Sequence, residues 1–144
     1  MDDNKKKLKI SLNRFDDLEQ VREAVIKFCR YHCNSNDEID IIEMSLLEAC
    51  HNAVQYSEKR KNKPLCELIL FYDNKCIKAI VKNYGKAFKV TEKDTFSIDQ
   101  DFIQYKNGGL GIPLIKSLMD SVEYLRKPDN TNELIIVKKI TKYQ

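Results

Sequence analysis

Glycine is scarce: the chain has four in 144 residues, where average usage would place about ten. A sequence that otherwise avoids backbone freedom keeps glycine where it needs a positive φ or the close approach of a ligand, so the four positions are worth locating. Long hydrophobic runs are missing too. No stretch approaches the roughly 18 apolar residues of a membrane span, and residues 1–10 carry no apolar segment of a secretory leader. These absences predict a soluble, cytoplasmic chain. The five cysteines, Cys29, Cys33, Cys50, Cys66 and Cys76, are odd in number and show no zinc-type C-x-x-C spacing, which argues against a disulfide framework or a structural zinc. Cys29 and Cys33 bracket His32, but a structural zinc needs four convergent ligands. The expectation is core cysteines and a surface histidine. The net charge of +3 is too small to indicate nucleic-acid binding. The basic runs at 5–7, 59–63 and 138–139 lack interleaved aromatic stacking platforms and read as solvated ends.

Repeats, low-complexity tracts and Pro/Gly/Ser linkers are likewise absent, so residues 1–144 are expected to form one domain. Alternation of Leu8, Ile10 and Leu12 predicts a first strand over 8–12. Leu18, Val21, Val25 and Phe28 recur at helical spacing and predict a first helix over 16–31. A second helix is expected from Asn36 or Asp37 to about Ser57, with the apolar stripe Ile39, Ile42, Leu46, Ala49 or Cys50, and Ala53. Residues 66–72 and 76–82 read as strands joined by a hairpin turn at 73–75. Residues 89–107 show no period and read as a loop or lid. Pro113 suits the first turn of a third helix, whose predicted stripe is Ile115, Leu118, Met119 and Val122. Two last strands, 122–125 and 134–140, flank a turn at 127–132. The order β-α-α-β-β-lid-α-β-β implies an α+β fold with helices on one face of a largely antiparallel sheet.

The glycines fall in two places. Gly85 follows Asn83 and Tyr84 at the end of a β-like run, and Gly108, Gly109 and Gly111 enclose Leu110 just before the third helix. Both segments read as walls of a nucleotide pocket. Backbone N–H groups at 109–111, backed by a helix N-terminus, suit an anionic phosphate without a Walker-type lysine. On the second helix Ser45, Glu48, Asn52 and Gln55 share one face, and Glu48 and Asn52 lie one turn apart, with Cβ atoms about 5–6 Å from each other. A solvent-facing polar stripe is the ordinary account of such a face.

In this order along the chain, the three segments resemble a known family. Glu48, Ala49, Cys50, His51 and Asn52 resemble the N-box of the GHKL ATPases, and Asn83-Tyr84-Gly85 resembles their Asp-x-Gly adenine motif. Residues 108–124 are similar to the last glycine box and following helix of bacterial anti-sigma factor serine kinases. The resemblance implies a Bergerat-type two-layer α/β sandwich, with a mixed, mostly antiparallel sheet, that binds Mg-ATP beneath a lid. It makes Asn52 the Mg²⁺ ligand and Glu48 the acceptor of the proton from an attacking hydroxyl. Asn83, Gly85, Gly108, Gly109, Leu110 and Gly111 become nucleotide-binding positions, and Lys106 and Lys116 are candidates for balancing phosphate charge. The implied partners are a STAS-domain anti-anti-sigma factor that receives the phosphoryl group, a sigma factor held by protein contacts, and a second copy in a homodimer. The chain departs from the pattern at Asn83, where the usual residue is Asp; an amide accepts from the exocyclic amine of adenine without the strengthening a charge supplies.

Three functions remain open on these residues: a kinase that is also an anti-sigma factor, a nucleotide-gated protein-binding module with little or no transfer, and an adaptor without nucleotide. Glu48 favours the first and Asn83 gives weight to the others.

Overall fold

The computed structural model describes residues 6–85 and 111–141. Strand β1 (Lys7–Leu12) leads through a 3₁₀ turn (Phe15–Asp17) into α1 (Leu18–His32) and α2 (Asn36–Tyr56). The hairpin β2 (Cys66–Asp73) and β3 (Cys76–Tyr84) follows, then α3 (Gly111–Leu118), β4 (Ser121–Arg126) and β5 (Thr131–Lys139). The five strands form one sheet in the order β1-β2-β3-β5-β4, and every neighbouring pair is antiparallel.

Sequence chemistry explains the element ends. The Ser35 hydroxyl accepts from the Glu38 N–H at 3.2 Å and caps α2, while Asp37 and Glu38 set negative charge at its positive end. The Asp17 carboxylate accepts from the N–H groups of Asn13 and Arg14 and turns the chain into α1. Asn74 and Lys75, both at positive φ, close the β2–β3 hairpin in the two-residue form that matches strand twist.

One sheet face carries the core. Leu12 from β1, Leu68 and Leu70 from β2, Ile77, Ala79 and Val81 from β3, and Leu134 and Ile136 from β5 are buried against Val21, Val25 and Phe28 of α1, Ile39, Ile42 and Leu46 of α2, and Ile115 of α3. Both predicted stripes of the long helices therefore lie where the periodicity puts them. The other face carries ion pairs, Lys9 with Glu67 at 2.9 Å and Lys127 with Glu133 at 3.0 Å, and Lys7 and Lys78 lie over the Phe71 ring. Among the described residues no helix is long and apolar enough to cross a membrane.

Two expectations need correction. The third helix ends at Leu118, so Val122 belongs to β4 and pairs with Ile136; the Asp120 N–H bonds the Val137 carbonyl at 2.9 Å and draws the chain into the sheet. His32 is buried, not a surface residue. Its ring stacks on Tyr72 of β2 at 3.9 Å between centroids and meets Phe28 and Tyr31 of its own helix. Of the five cysteines expected in the core, Cys29, Cys33, Cys50 and Cys66 are buried and Cys76, at the start of β3, is half-buried. Burial pushes the Cys29 thiol up to about 12, and a hydrogen bond with Cys50, together with burial, raises Cys66 well above the ordinary range. Thiols held protonated in this way are packing groups, not nucleophiles.

Candidate functional site

Helix α2 carries the predicted pair. Its four polar positions do not form a solvent-facing stripe: Ser45 is buried, Glu48 and Asn52 are half-buried, and only Gln55 is exposed. The Ser45 hydroxyl is 2% exposed as a residue and has no hydrogen-bond partner among the described residues. A buried hydroxyl without a partner is unusual, and this one lies one turn before Glu48.

Glu48 stands at a groove of about 600 Å³ between α1 and α2. Leu18, Met44 and Leu47 supply its apolar lining, and Glu19 and Asp40 add carboxylates. Arg22 donates through Nε to Glu43 at 2.6 Å across the two helices. Beside the groove the ring of Phe15, which precedes α1, lies 5.1 Å from that of His51 near the C-terminal end of α2. Helix α3, which begins at Gly111, packs against α2. The glycine-headed helix and the Glu48–Asn52 helix are therefore direct neighbours. Lys106, Gly108, Gly109, Leu110 and the lid at 89–107 lie outside the described residues.

Asn83 sits on the core side of β3 and is 5% exposed. Its Nδ2 donates to the Ala53 carbonyl in the last turn of α2 at 3.1 Å, and its Oδ1 accepts from Asn132 Nδ2 at 3.0 Å. Asn132 Oδ1 in turn accepts from Tyr124 Oη at 2.7 Å and from Arg126 Nη1 at 2.8 Å. Because a guanidinium only donates, Arg126 fixes the direction of every bond in this series. The last acceptor is a helix carbonyl, which requires a donor at residue 83.

Gly85 closes the same corner. Its φ of +132° meets the expectation of a conformation that side chains rarely adopt. The close approach is made by the protein itself: a Cβ here would lie 2.8 Å from Glu58 Cγ. Its N–H bonds the Asn130 carbonyl at 2.9 Å, and its carbonyl accepts from Arg126 Nη1 at 2.7 Å. Tyr84 is gripped as well, with its carbonyl accepting from the Glu58 N–H at 2.8 Å and Arg60 lying over its ring at 3.9 Å.

Asn132 and Arg126 were not singled out from sequence. Their signal is the strand alternation itself, since Asn132 falls in the file of Leu134 and Ile136, and Arg126 in that of Val122 and Tyr124. A polar residue in a core-facing file marks a buried network.

An antiparallel sheet with helices packed on one face is the α+β architecture that the motifs imply. The chain belongs to the histidine kinase-like ATPase domain family, whose profile matches residues 13–138. It is similar to the serine-protein kinase RsbW of Bacillus licheniformis, at 30% identity over 94 residues, covering 61% of this chain and 58% of that protein. For RsbW of Bacillus subtilis the identity is 32% over 92 residues, covering 60% and 56%. The chain thus spans less than three fifths of the length of these curated relatives. A chain of the SiaB–SiaC complex from Pseudomonas aeruginosa shares the fold, with a TM-score of 0.61 at 10% identity over 91% of this chain and 88% of that one.

Proposed function

We propose that the chain is an ATP-dependent serine/threonine kinase of the anti-sigma factor type, which phosphorylates a STAS-domain anti-anti-sigma factor and holds a sigma factor as a homodimer. One observation carries the reading: Glu48 stands half-buried at the groove between α1 and α2, one helical turn from Asn52, inside the stretch that matches the ATPase family. The similarity to proteins named as serine-protein kinases supports it.

The roles follow from chemistry. Glu48 accepts the proton of the incoming serine or threonine hydroxyl. Gly108 to Gly111 and the start of α3 offer N–H groups to the phosphates, with Lys106 and Lys116 adding positive charge. The Asn52 carboxamide oxygen is a hard donor of the kind Mg²⁺ takes, and no group of three His, Cys, Asp or Glu side chains among the described residues makes an all-protein cage. Asn52 would be one ligand of an ion that keeps phosphate and water as its others. When bound, Mg²⁺ neutralises charge that develops on the transferred phosphoryl group.

A second reading, a nucleotide-gated binding module with little transfer, is favoured by Asn83, whose carboxamide is already engaged at both ends. One experiment separates the two: incubate γ-labelled Mg-ATP with the chain and a STAS-domain protein encoded nearby, and compare Glu48→Gln. Transfer by the wild type that the substitution abolishes, with nucleotide binding retained, supports the kinase. No transfer by either, with partner affinity changed by ATP, supports the module.

A further inference from the structure

The groove between α1 and α2 gathers apolar surface that folding leaves in water. Among the described residues five large hydrophobic side chains are exposed, and two of them meet here: Met44, 39% exposed, lines the groove, and Phe15, 47% exposed, lies beside it against His51. The half-buried Leu18 and Leu47 extend this surface onto both helices. Single exposed apolar residues are ordinary, whereas a patch of them rimmed by polar groups marks a place of contact.

The rim here is acidic. Glu19, Asp40, Glu43 and Glu48 line the groove with one guanidinium, that of Arg22, although the chain as a whole carries +3. Arg22 answers Glu43 at 2.6 Å. Glu19 and Asp40 are exposed and have no ion pair among the described residues. A field of this sign repels nucleic acid and anionic lipid and attracts a basic partner. The walls are helices, whose backbone groups are bonded internally, so the groove offers no edge for an added strand; an amphipathic helix laid along it is the mode that suits it. The α2 positions that line it run from Asp40 to His51, about 17 Å of helix axis and room for about three turns of an incoming helix.

We propose that the α1–α2 groove docks a basic amphipathic helix of another protein, whose apolar face covers Leu18, Met44 and Leu47 and whose lysines or arginines pair with Glu19 and Asp40. The groove is built from α1 and α2 alone, so the inference does not rest on the kinase reading and is tested without nucleotide. The probe is a fluorescent helical peptide with leucines at i, i+3, i+4 and i+7 and lysines on either side of that stripe. Its controls are the same peptide with glutamates for the lysines and a shuffled peptide of the same composition, and binding to the intact chain is read by anisotropy. The basic helix is expected to bind at least about tenfold more tightly than either control. Glu19→Lys combined with Asp40→Lys should reverse the order of the basic and acidic helices, and Met44→Ser should weaken the basic helix about fivefold by removing apolar contact. Equal binding of the shuffled peptide reduces the attraction to bulk charge and overturns the proposal. Affinity of the basic helix weaker than about 1 mM overturns it as well, as does undiminished binding by the charge-reversed variant. If that variant instead lowers the mass of the chain in solution, the groove belongs to a second copy and the proposal fails. Should a variant not fold, the peptide series on the wild type still decides.

Discussion

The two flanks of α2 are built on opposite terms. Toward β3, Asn83, Asn132, Arg126 and Gly85 direct their polar groups at one another and at the end of the helix. Toward α1, Glu48 lines a groove with three other carboxylates, Glu19, Asp40 and Glu43, of which Glu43 is paired with Arg22. The residues that the sequence motifs single out therefore divide by position: one set ties the end of α2 to the sheet, and the other lies beside the groove between α1 and α2.

Substitutions can break that division, beginning with the largest effect. Glu48→Gln is expected to lower phosphoryl transfer by about 10²–10⁴-fold, the range for a lost general base, while the thermal midpoint stays near that of the wild type. A large drop in the midpoint would move Glu48 to the structural set. Asn83→Asp reverses the pattern. Leaving the Ala53 carbonyl unpaired beside a buried charge costs about 3 kcal/mol, measurable by urea denaturation, and an unchanged unfolding midpoint would remove Asn83 from the network. Gly85→Ala is expected to cost about 1–3 kcal/mol through its positive φ and its contact with Glu58. Adding Glu58→Ala should restore only the steric part, and complete recovery would show that φ contributes nothing. The smallest effect sharpens the other end of the helix: Ser35→Ala removes the cap of α2 and costs about 1 kcal/mol, with no change in nucleotide affinity.

Much of the fold was legible because it is written in local periods. Ile39, Ile42, Leu46 and Ala53 mark the buried stripe of α2 at helical spacing, and Asn74 marks the hairpin turn. The errors arose where a local pattern has two meanings or the partner is distant in sequence. Val122 lies three residues after Met119 and continues a helical stripe as readily as it opens the alternation Val122, Tyr124. Only the bond from Asp120 to Val137 decides between them. His32 gave no sign of burial because its stacking partner, Tyr72, comes from β2. In the site, the shared face of Glu48 and Asn52 followed from spacing alone. The engagement of Asn83 did not, because its partners, Ala53 and Asn132, lie 30 and 49 residues away.

The claim that α2 presents a metal–nucleotide ligand is tested most directly by calorimetric titration of the wild type and Asn52→Ala with ATP, with and without Mg²⁺. The account predicts that the wild type binds and that Mg²⁺ strengthens the binding, an increment that Asn52→Ala loses. Equal Mg²⁺-dependent affinity in the two proteins, or no binding by the wild type, would contradict it.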